Sequence, residues 1–352
     1  MLFFMFSLLL EPGLPAKTFI QTGEIGMVNL HQTALAGDGS VYVLSLINYK
    51  IKKFDARGQL VKTFGGKGQG PGEFNYPTRL FIENDRIYVW DIEESRFSEF
   101  HQDGTFMAWK SPPRHGVDIV RKRGGWAYGT WVSAVKSEPN AVVTLFLADE
   151  EFKQVQPIAE SRGNGYGATF IAERGKSIYT PVHPVPKLEV SRDGKRIYLL
   201  SPTTLDVTIF DENGNPVGQL KKNMPRLPFN PDWANIRLEE VKRIYRDRTY
   251  QTSYYKEFPV VRSFLASPGG DLVFRLWTFE PHKTDKTIAL RENGSASNLN
   301  LPWRDWHRWL AQDGDRVLLA RVNPETELCE LVWCPGTNIE RFMQDHPSSD
   351  EE

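Results

Sequence analysis

Cysteine is scarce here: two residues, Cys329 and Cys334, in a chain of 352. They lie five apart on what reads as one strand, and odd spacing points them to opposite faces, which argues against a disulfide between them. Two thiols without metal-ligand spacing do not make a zinc motif either. An excess of charge of one sign is also missing. With 43 Lys and Arg against 44 Asp and Glu, the formal net charge is −1, and this gives no electrostatic case for nucleic acid or an anionic membrane surface. Long apolar runs are lacking too. The stretch Leu2 to Leu10 (LFFMFSLLL) falls well short of the roughly 20 residues that a transmembrane helix needs. Followed by Glu11-Pro12-Gly13-Leu14-Pro15-Ala16, it has the apolar centre and the small residue of a secretory signal, without the basic start. Residues 1–16 therefore read as a hydrophobic leader of signal-peptide type, and the protein is expected outside the cytoplasm, secreted or periplasmic. Catalytic signatures are absent as well: the chain has no G-x-S-x-G elbow, no H-E-x-x-H pair and no C-x-x-C.

What the chain does have is a recurring hairpin. Tight turns at Asp38-Gly39, Asn84-Asp85, Gly124-Gly125, Asp193-Gly194, Gly269-Gly270 and Asp313-Gly314 each lead into a strand: VYVLSL, IYVWDI, WAYGTWV, RIYLLS, LVFRLW or RVLLAR. Second strands follow, ending at Phe54, Phe100, Phe146, Phe210, Leu290 and Trp333. Two independent markers give the same count of six, which predicts an all-β, six-bladed β-propeller. Phe54 to Phe100 and Phe100 to Phe146 are 46 residues each, the length of one four-stranded blade. The next two intervals, 64 and 80 residues, carry insertions. The propeller is assigned to residues 17–340, with an insertion at 221–258 and a polar tail at 341–352. A closed ring must not leave its last blade with an open edge. Sequence after Trp333 soon becomes polar, so Lys17–Gly23 (KTFIQTG), which is like Val61–Gly65 (VKTFG), is expected to supply the missing outer strand of blade 6.

The segment Asn48-Tyr49-Lys50-Ile51-Lys52-Lys53-Phe54-Asp55, followed by Gly65-Gly66-Lys67-Gly68-Gln69-Gly70-Pro71-Gly72-Glu73-Phe74 and Tyr76-Pro77, resembles an NHL repeat. The next blade repeats it with Val89, Asp91, Arg96-Phe97 and Phe100, but has Glu94 where the family commonly has Asn. Across blades 3 to 6 the likeness fades to strand-and-turn rhythm. The resemblance implies a six-bladed propeller. Some enzymes in NHL-like rings, amidating lyases among them, hold zinc through channel histidines, and lactonase-like rings hold a divalent ion in a carboxylate and Asn cluster. The glycine run itself has neither dinucleotide nor Walker spacing, and reads as a tight turn between blades.

With strands lettered A to D from the channel outward, the A–B and C–D turns share one face, and the B–C and D–A loops share the other. Both insertions fall in D–A connections, so the second face is the elaborated one and the expected site. His31, His115 and His183 lie in or near D–A connections, and His282 lies in a B–C loop. Trp131 and Trp277 end B strands on the same face. These six are the candidate ligand-binding residues, with a peptide, glycan, small ligand or protein as the expected partner. No metal ligand is assigned among them, and no cofactor is implied beyond a divalent ion if they converge. Acidic B–C residues Asp91, Glu93, Glu94 and Glu280 could hold such an ion only in a lactonase-like arrangement. The leading function is a binding scaffold; the alternative is a metal-dependent lyase or lactonase with its site at the channel mouth.

The larger insertion, between blades 4 and 5, contains one helix signal. Asn230 suits the N-cap, Pro231 the first helical position and Asp232 the positive end, while Ile236, Leu238, Val241, Ile244 and Tyr245 form a stripe. A helix to about Arg246 is expected, laid either over the channel mouth as a lid or against a blade as a buttress. Arg237, Lys242, Arg243 and Arg246 read as its wet side.

Overall fold

The computed structural model describes residues 17–21, 30–45, 48–131, 140–164, 168–172, 178–179, 186–191, 193–201, 205–224, 227–228, 232, 235, 239, 250–254, 257–258, 261–266, 271–276, 285–291, 294–303, 308–313, 316–322 and 329–335. The first strand is β1 (Lys17–Gln21). Blade 1 is β2 (Leu30–Leu35), β3 (Val41–Ser45), β4 (Lys50–Phe54) and β5 (Leu60–Phe64). Blade 2 is β6 (Pro77–Glu83), β7 (Arg86–Asp91), β8 (Arg96–His101) and β9 (Phe106–Lys110), and blade 3 is β10 (Gly116–Lys122), β11 (Gly125–Trp131), β12 (Asn140–Ala148) and β13 (Val155–Asn164). Two strands of the first insertion follow, β14 (Ala168–Ala172) and β15 (Ile178–Tyr179). Blade 4 is β16 (Lys187–Val190), β17 (Arg196–Ser201), β18 (Leu205–Asp211) and β19 (Pro216–Lys222). The second insertion carries β20 (Leu227–Pro228), β21 (Tyr250–Tyr254) and β22 (Glu257–Phe258). Blade 5 is β23 (Val261–Ala266), β24 (Leu272–Leu276), β25 (Asp285–Leu290) and β26 (Ala296–Trp303). Blade 6 has β27 (Arg308–Asp313), β28 (Arg316–Val322) and β29 (Cys329–Pro335), with β1 as its fourth strand.

The six four-stranded antiparallel sheets are the blades that the turn markers count. Closure runs through β1, whose Lys17, Thr18, Ile20 and Gln21 pair with Trp333, Val332, Leu331 and Glu330. The inner strands approach one another around the axis: β2 lies beside β6, β10 beside β16, β16 beside β23, and β2 beside β27, so the last blade meets the first.

The local chemistry explains why the markers work. In the C–D turn of blade 1, Asp55 Oδ1 accepts the amides of Arg57 and Gln59, both at 2.9 Å, and Gly58 takes the left-handed backbone (φ 80°) that the turn demands. Asp211 and Gly214 repeat the device in blade 4, where Asp211 Oδ1 accepts Asn213 N at 2.9 Å and Asn215 N at 2.8 Å. The strands between turns are apolar on both faces because each sheet is covered by a blade on either side. Tyr42, Leu44, Phe74, Leu80, Val89 and Phe100 form the core between blades 1 and 2. Trp90, Phe97, Trp126, Tyr128 and Phe146 form the next, in which Phe97 and Trp126 stack with centroids 4.2 Å apart. Leu145, Leu147, Leu188, Ile197 and Phe210 join blades 3 and 4, and Tyr198, Val207, Leu272, Phe274 and Ile288 join blades 4 and 5.

Both cysteines belong to β29; Cys334 is buried and in no disulfide, and burial pushes its thiol up to about 11. In the region of the expected helix, Asp232, Asn235 and Glu239 are helical, and the rest of the Asn230–Arg246 span lies outside the described residues. The segment is more than a helix. Its end strand β21 pairs antiparallel with β14 of the first insertion, Ala168 opposite Tyr254 through Ala172 opposite Tyr250, giving a three-stranded sheet β15-β14-β21. At its base, Leu227 pairs with Phe258 and Pro228 with Glu257. Two insertions separated by blade 4 are thus tied to each other, and none of their strands belongs to a blade sheet. Replacing residues 227–254 by a short Gly/Ser linker should therefore leave the ring folded. The cost should appear as faster amide exchange at 168–172, whose ladder partner is gone. Loss of the cooperative unfolding transition of the whole chain would show the insertion to be part of the ring's core.

Candidate functional site

Near the start of the inner strands, the ladder to the second strand slips by one residue in blades 1, 2, 3 and 5, at Leu30/Gln32, Pro77/Arg79, Gly116/Asp118 and Val261/Ser263. Such bulges re-aim side chains at the rim of a sheet. The residue after the slip is polar in these four blades, Gln32, Arg79, Asp118 and Ser263, opposite Leu44, Trp90, Gly129 and Arg275, whereas blade 6, whose slip lies at Trp309/Ala311, has Ala311 there. Blade 4 has no slip, and its register places Lys187 at the same level, opposite Leu200. Five consecutive blades thus set a polar residue at one level of the channel wall, a few residues inside the D–A end. The next residue in three of these strands is a buried core side chain, Leu80, Ile119 or Leu188.

The polar level also staples blades together. Arg79 Nη2 of blade 2 donates to Asp118 Oδ1 of blade 3 at 2.5 Å, with 25% and 15% of their side-chain surfaces open. Asp118 Oδ1 also accepts Ile119 N at 3.0 Å, and Oδ2 accepts Leu188 N of blade 4 at 3.0 Å. One carboxylate therefore links three blades. Gln32 Oε1 makes a longer contact of the same kind, accepting Leu80 N of the next blade at 3.4 Å. Burial works against the Arg79 charge, but the facing carboxylates of Asp118 and Glu189 more than offset it and hold its pKa above the ordinary value. Glu189, two residues along from Lys187 on β16, has the opposite fate. Burial is the main cause that lifts its carboxyl to about 7, aided by Asp118 and opposed by Arg79 and Lys187. A carboxyl that changes charge near neutral pH is the kind of group that binding and proton-transfer sites use. Sequence reading missed this group. The available signal was a polar residue at the same register in inner strands that are otherwise apolar, as in Gln32-Thr33-Ala34-Leu35, Arg79-Leu80-Phe81-Ile82 and Asp118-Ile119-Val120.

The sequence candidates divide. His31 lies in β2 at the slip itself, His115 is exposed immediately before β10, and Trp131 ends β11, all at the D–A and B–C end as the alternation of strands requires. His183, His282 and Trp277 lie outside the described residues. Among the described residues, no three His, Cys, Asp or Glu side chains gather as a metal site. Of the acidic B–C residues, Glu280 lies outside the described residues, and Asp91, Glu93 and Glu94 have other work. Asp91 is buried and accepts Asn75 N at 2.6 Å, Tyr76 N at 3.1 Å and Glu94 N at 3.2 Å. Asn75 Nδ2 donates to Glu93 at 3.0 Å, and Gln69 Nε2 donates to Glu94 at 3.1 Å. These carboxylates pin the glycine-rich connection to blade 2. Glycine is needed in that connection: Gly65 has φ 89°, and a Cβ there would lie 2.7 Å from the Phe74 ring and 2.9 Å from the Tyr49 carbonyl oxygen.

A family model described as a 6-bladed beta-propeller matches residues 22–166, the first three blades. A crystal structure of a Bacteroides fragilis protein assigned as exported is similar at TM-score 0.55 and 12% identity, over 91% of this chain and 94% of that one. A luciferin-regenerating enzyme is similar at TM-score 0.48 and 10% identity, over 91% and 94% of the two chains. Virginiamycin B lyase from Staphylococcus aureus is similar at TM-score 0.45 and 10% identity, over 91% and 99%. No curated protein matches in sequence. The six-bladed propeller stands on the strand topology and on the family model alike. At the level of the family, the likeness is to six-bladed propellers generally, of which NHL rings are one kind. Among the described residues, no helix is long and apolar enough to cross a membrane.

Proposed function

We propose that the chain is a binding propeller that acts outside the cytoplasm and seats a ligand or protein partner over the channel mouth at its D–A and B–C end. The observation that carries this reading is the polar level Gln32, Arg79, Asp118, Lys187 and Ser263, set into the channel wall just inside the end where the two insertions emerge. A rigid ring that sets a polar residue at one register level of the inner strand in five blades is suited to be a recognition surface, and among the described residues no three metal-ligating side chains gather beside it. His31, His115, His183, His282, Trp131 and Trp277 belong to the rim of this surface in the proposal. The apolar leader at residues 2–10 supports an extracytoplasmic setting.

The experiment is a screen of peptides, oligosaccharides and small fragments by ligand-observed NMR, with hits mapped by hydrogen exchange on the full chain. Protection is expected at 30–35, 111–118 and 186–190. Protection confined to the Asp38-Gly39 and Asp193-Gly194 turns would place the binding face at the other end and overturn the reading. A stoichiometric divalent ion in the purified protein would instead favour the lyase or lactonase alternative.

A further inference from the structure

Blade 3 departs from its neighbours on the face it turns to the next blade. On that side the second strand of blade 1 carries Tyr42 and Leu44, that of blade 2 carries Tyr88 and Trp90, and that of blade 4 carries Tyr198 and Leu200, all buried between blades. Blade 3 has Ala127 there, between Gly125 and Gly129, because the alternation of β11 sends Trp126 and Tyr128 back towards blade 2. A polar staple is lost with the tyrosine. Tyr42 donates its hydroxyl to the Gln102 carbonyl in the C–D turn of blade 2 at 3.1 Å, whereas Ala127 has nothing to offer Glu212, which holds the same place in the turn of blade 4. Into the room that is left, β10 sends Lys122, which lies opposite Gly125 and on the same face as Val120 of the core between blades 3 and 4. Lys122 is 9% exposed, and its Nζ donates to the Arg123 carbonyl at 3.1 Å. Among the described residues it has no ion pair.

We propose that Lys122 is a nucleophilic amine that condenses with small aldehydes. The site lies towards the A–B and C–D end of the ring, away from the mouth assigned to ligands, so it stands apart from the binding reading above. An ammonium without a counter-ion in an apolar cleft gives up its proton more readily than one in water. Burial is the main cause that lowers the Lys122 pKa; the Arg121 guanidinium adds to it, and Glu212 opposes. The elements packed on this side bring no further charge to the core there: β11 presents Gly125 and Ala127, β16 presents Leu188, and β17 presents Ile197 and Leu199. The Arg123 carbonyl takes one N–H and leaves the lone pair of the neutral amine for a carbonyl carbon. In the reaction the amine nitrogen bonds to the aldehyde carbon, its two protons leave with the aldehyde oxygen as water, and a C=N bond remains. The protonated imine keeps one N–H for the same Arg123 carbonyl. So narrow an opening admits only a small partner.

The test uses formaldehyde as probe on the full chain, with cyanoborohydride to trap the imine as a methylated amine, and reads each lysine by peptide mass spectrometry. Lys62 and Lys153, both exposed, are the internal standards. At about pH 7, Lys122 should be labelled at least about threefold faster than either, because each unit by which a pKa falls makes the neutral amine about tenfold more abundant and crowding takes back part of that gain. Glu212→Gln removes the acid that favours the ammonium, and should speed Lys122 about twofold while leaving the standards unchanged. Thermal melts report whether the variant and the treated chain are folded. Labelling of Lys122 more slowly than Lys62 and Lys153 in the folded chain overturns the proposal, and so does an unchanged Lys122 rate in folded Glu212→Gln. Labelling that appears only once the melting transition has been lost counts against it in the same way.

Discussion

Removing residues 17–21 should lower the melting temperature of the chain by about 5 °C or prevent it from folding. Four register pairs join β1 to β29, and each ladder hydrogen bond contributes about 1 kcal/mol net, so the loss is roughly 4 kcal/mol. Set against a total stability of about 5–15 kcal/mol, that is a large fraction. A second consequence follows from geometry. Leu331, Val332 and Cys334 of β29 are buried, and without β1 their strand becomes an open edge, a template for pairing with another chain. The shortened protein should therefore aggregate on heating where the intact one does not. Calorimetry and light scattering on the two chains would check both effects, with removal of residues 347–352 as the comparison expected to change little. Equal melting temperatures for the intact chain and the one lacking residues 17–21 would mean that the ring holds without this strand.

The ring was legible in the sequence because its turns are chemically forced. Asp55 and Asp211 accept amides of their own turns, and Gly58, Gly104, Gly214 and Gly294 adopt left-handed backbone, so a glycine recurs in four C–D turns, while in blade 3 Phe152 takes that position. The closing strand was legible for a similar reason: an outer strand of one blade looks like that of another, as Lys17-Thr18-Phe19 and Lys62-Thr63-Phe64 do. Pairing of β14 with β21 was not legible, because no turn joins them and nothing local fixes a ladder between segments about 80 residues apart. The polar level in the channel was missed for a different reason. A lone Arg79 or Asp118 in a strand reads as a solvated charge, and only the slip of one residue in the inner ladder brings both to the same height on neighbouring blades. Sorting histidines by loop pointed to the D–A and B–C end of the ring and passed over the charged group within it. Asp91, an acidic loop residue for which the sequence offered no motif, accepts three backbone amides.

Asp118 is where the greatest loss from a single substitution in the channel is expected, and the ranking of three variants tests why. Asp118→Ala strips the acceptor from Arg79 and from the amides of Ile119 and Leu188 together. Leu188 is 2% exposed, so its amide has no ready route to water and leaving it unpaired costs about 1–3 kcal/mol. The guanidinium, with a quarter of its surface open, is partly hydrated and adds only about 1 kcal/mol. The total is roughly 3 kcal/mol. Asp118→Asn retains one side-chain acceptor for an amide and gives up the charge, which should cost about half as much. Arg79→Met leaves both backbone bonds to Asp118 in place and buries an apolar stem where the guanidinium stem lay, so its cost should be about 1 kcal/mol or less. Urea unfolding with an unchanged m value would give the three numbers on one scale. If Arg79→Met proves as damaging as Asp118→Ala, the ion pair rather than the inter-blade backbone bond holds blades 2, 3 and 4 together, and the stapling role of Asp118 fails.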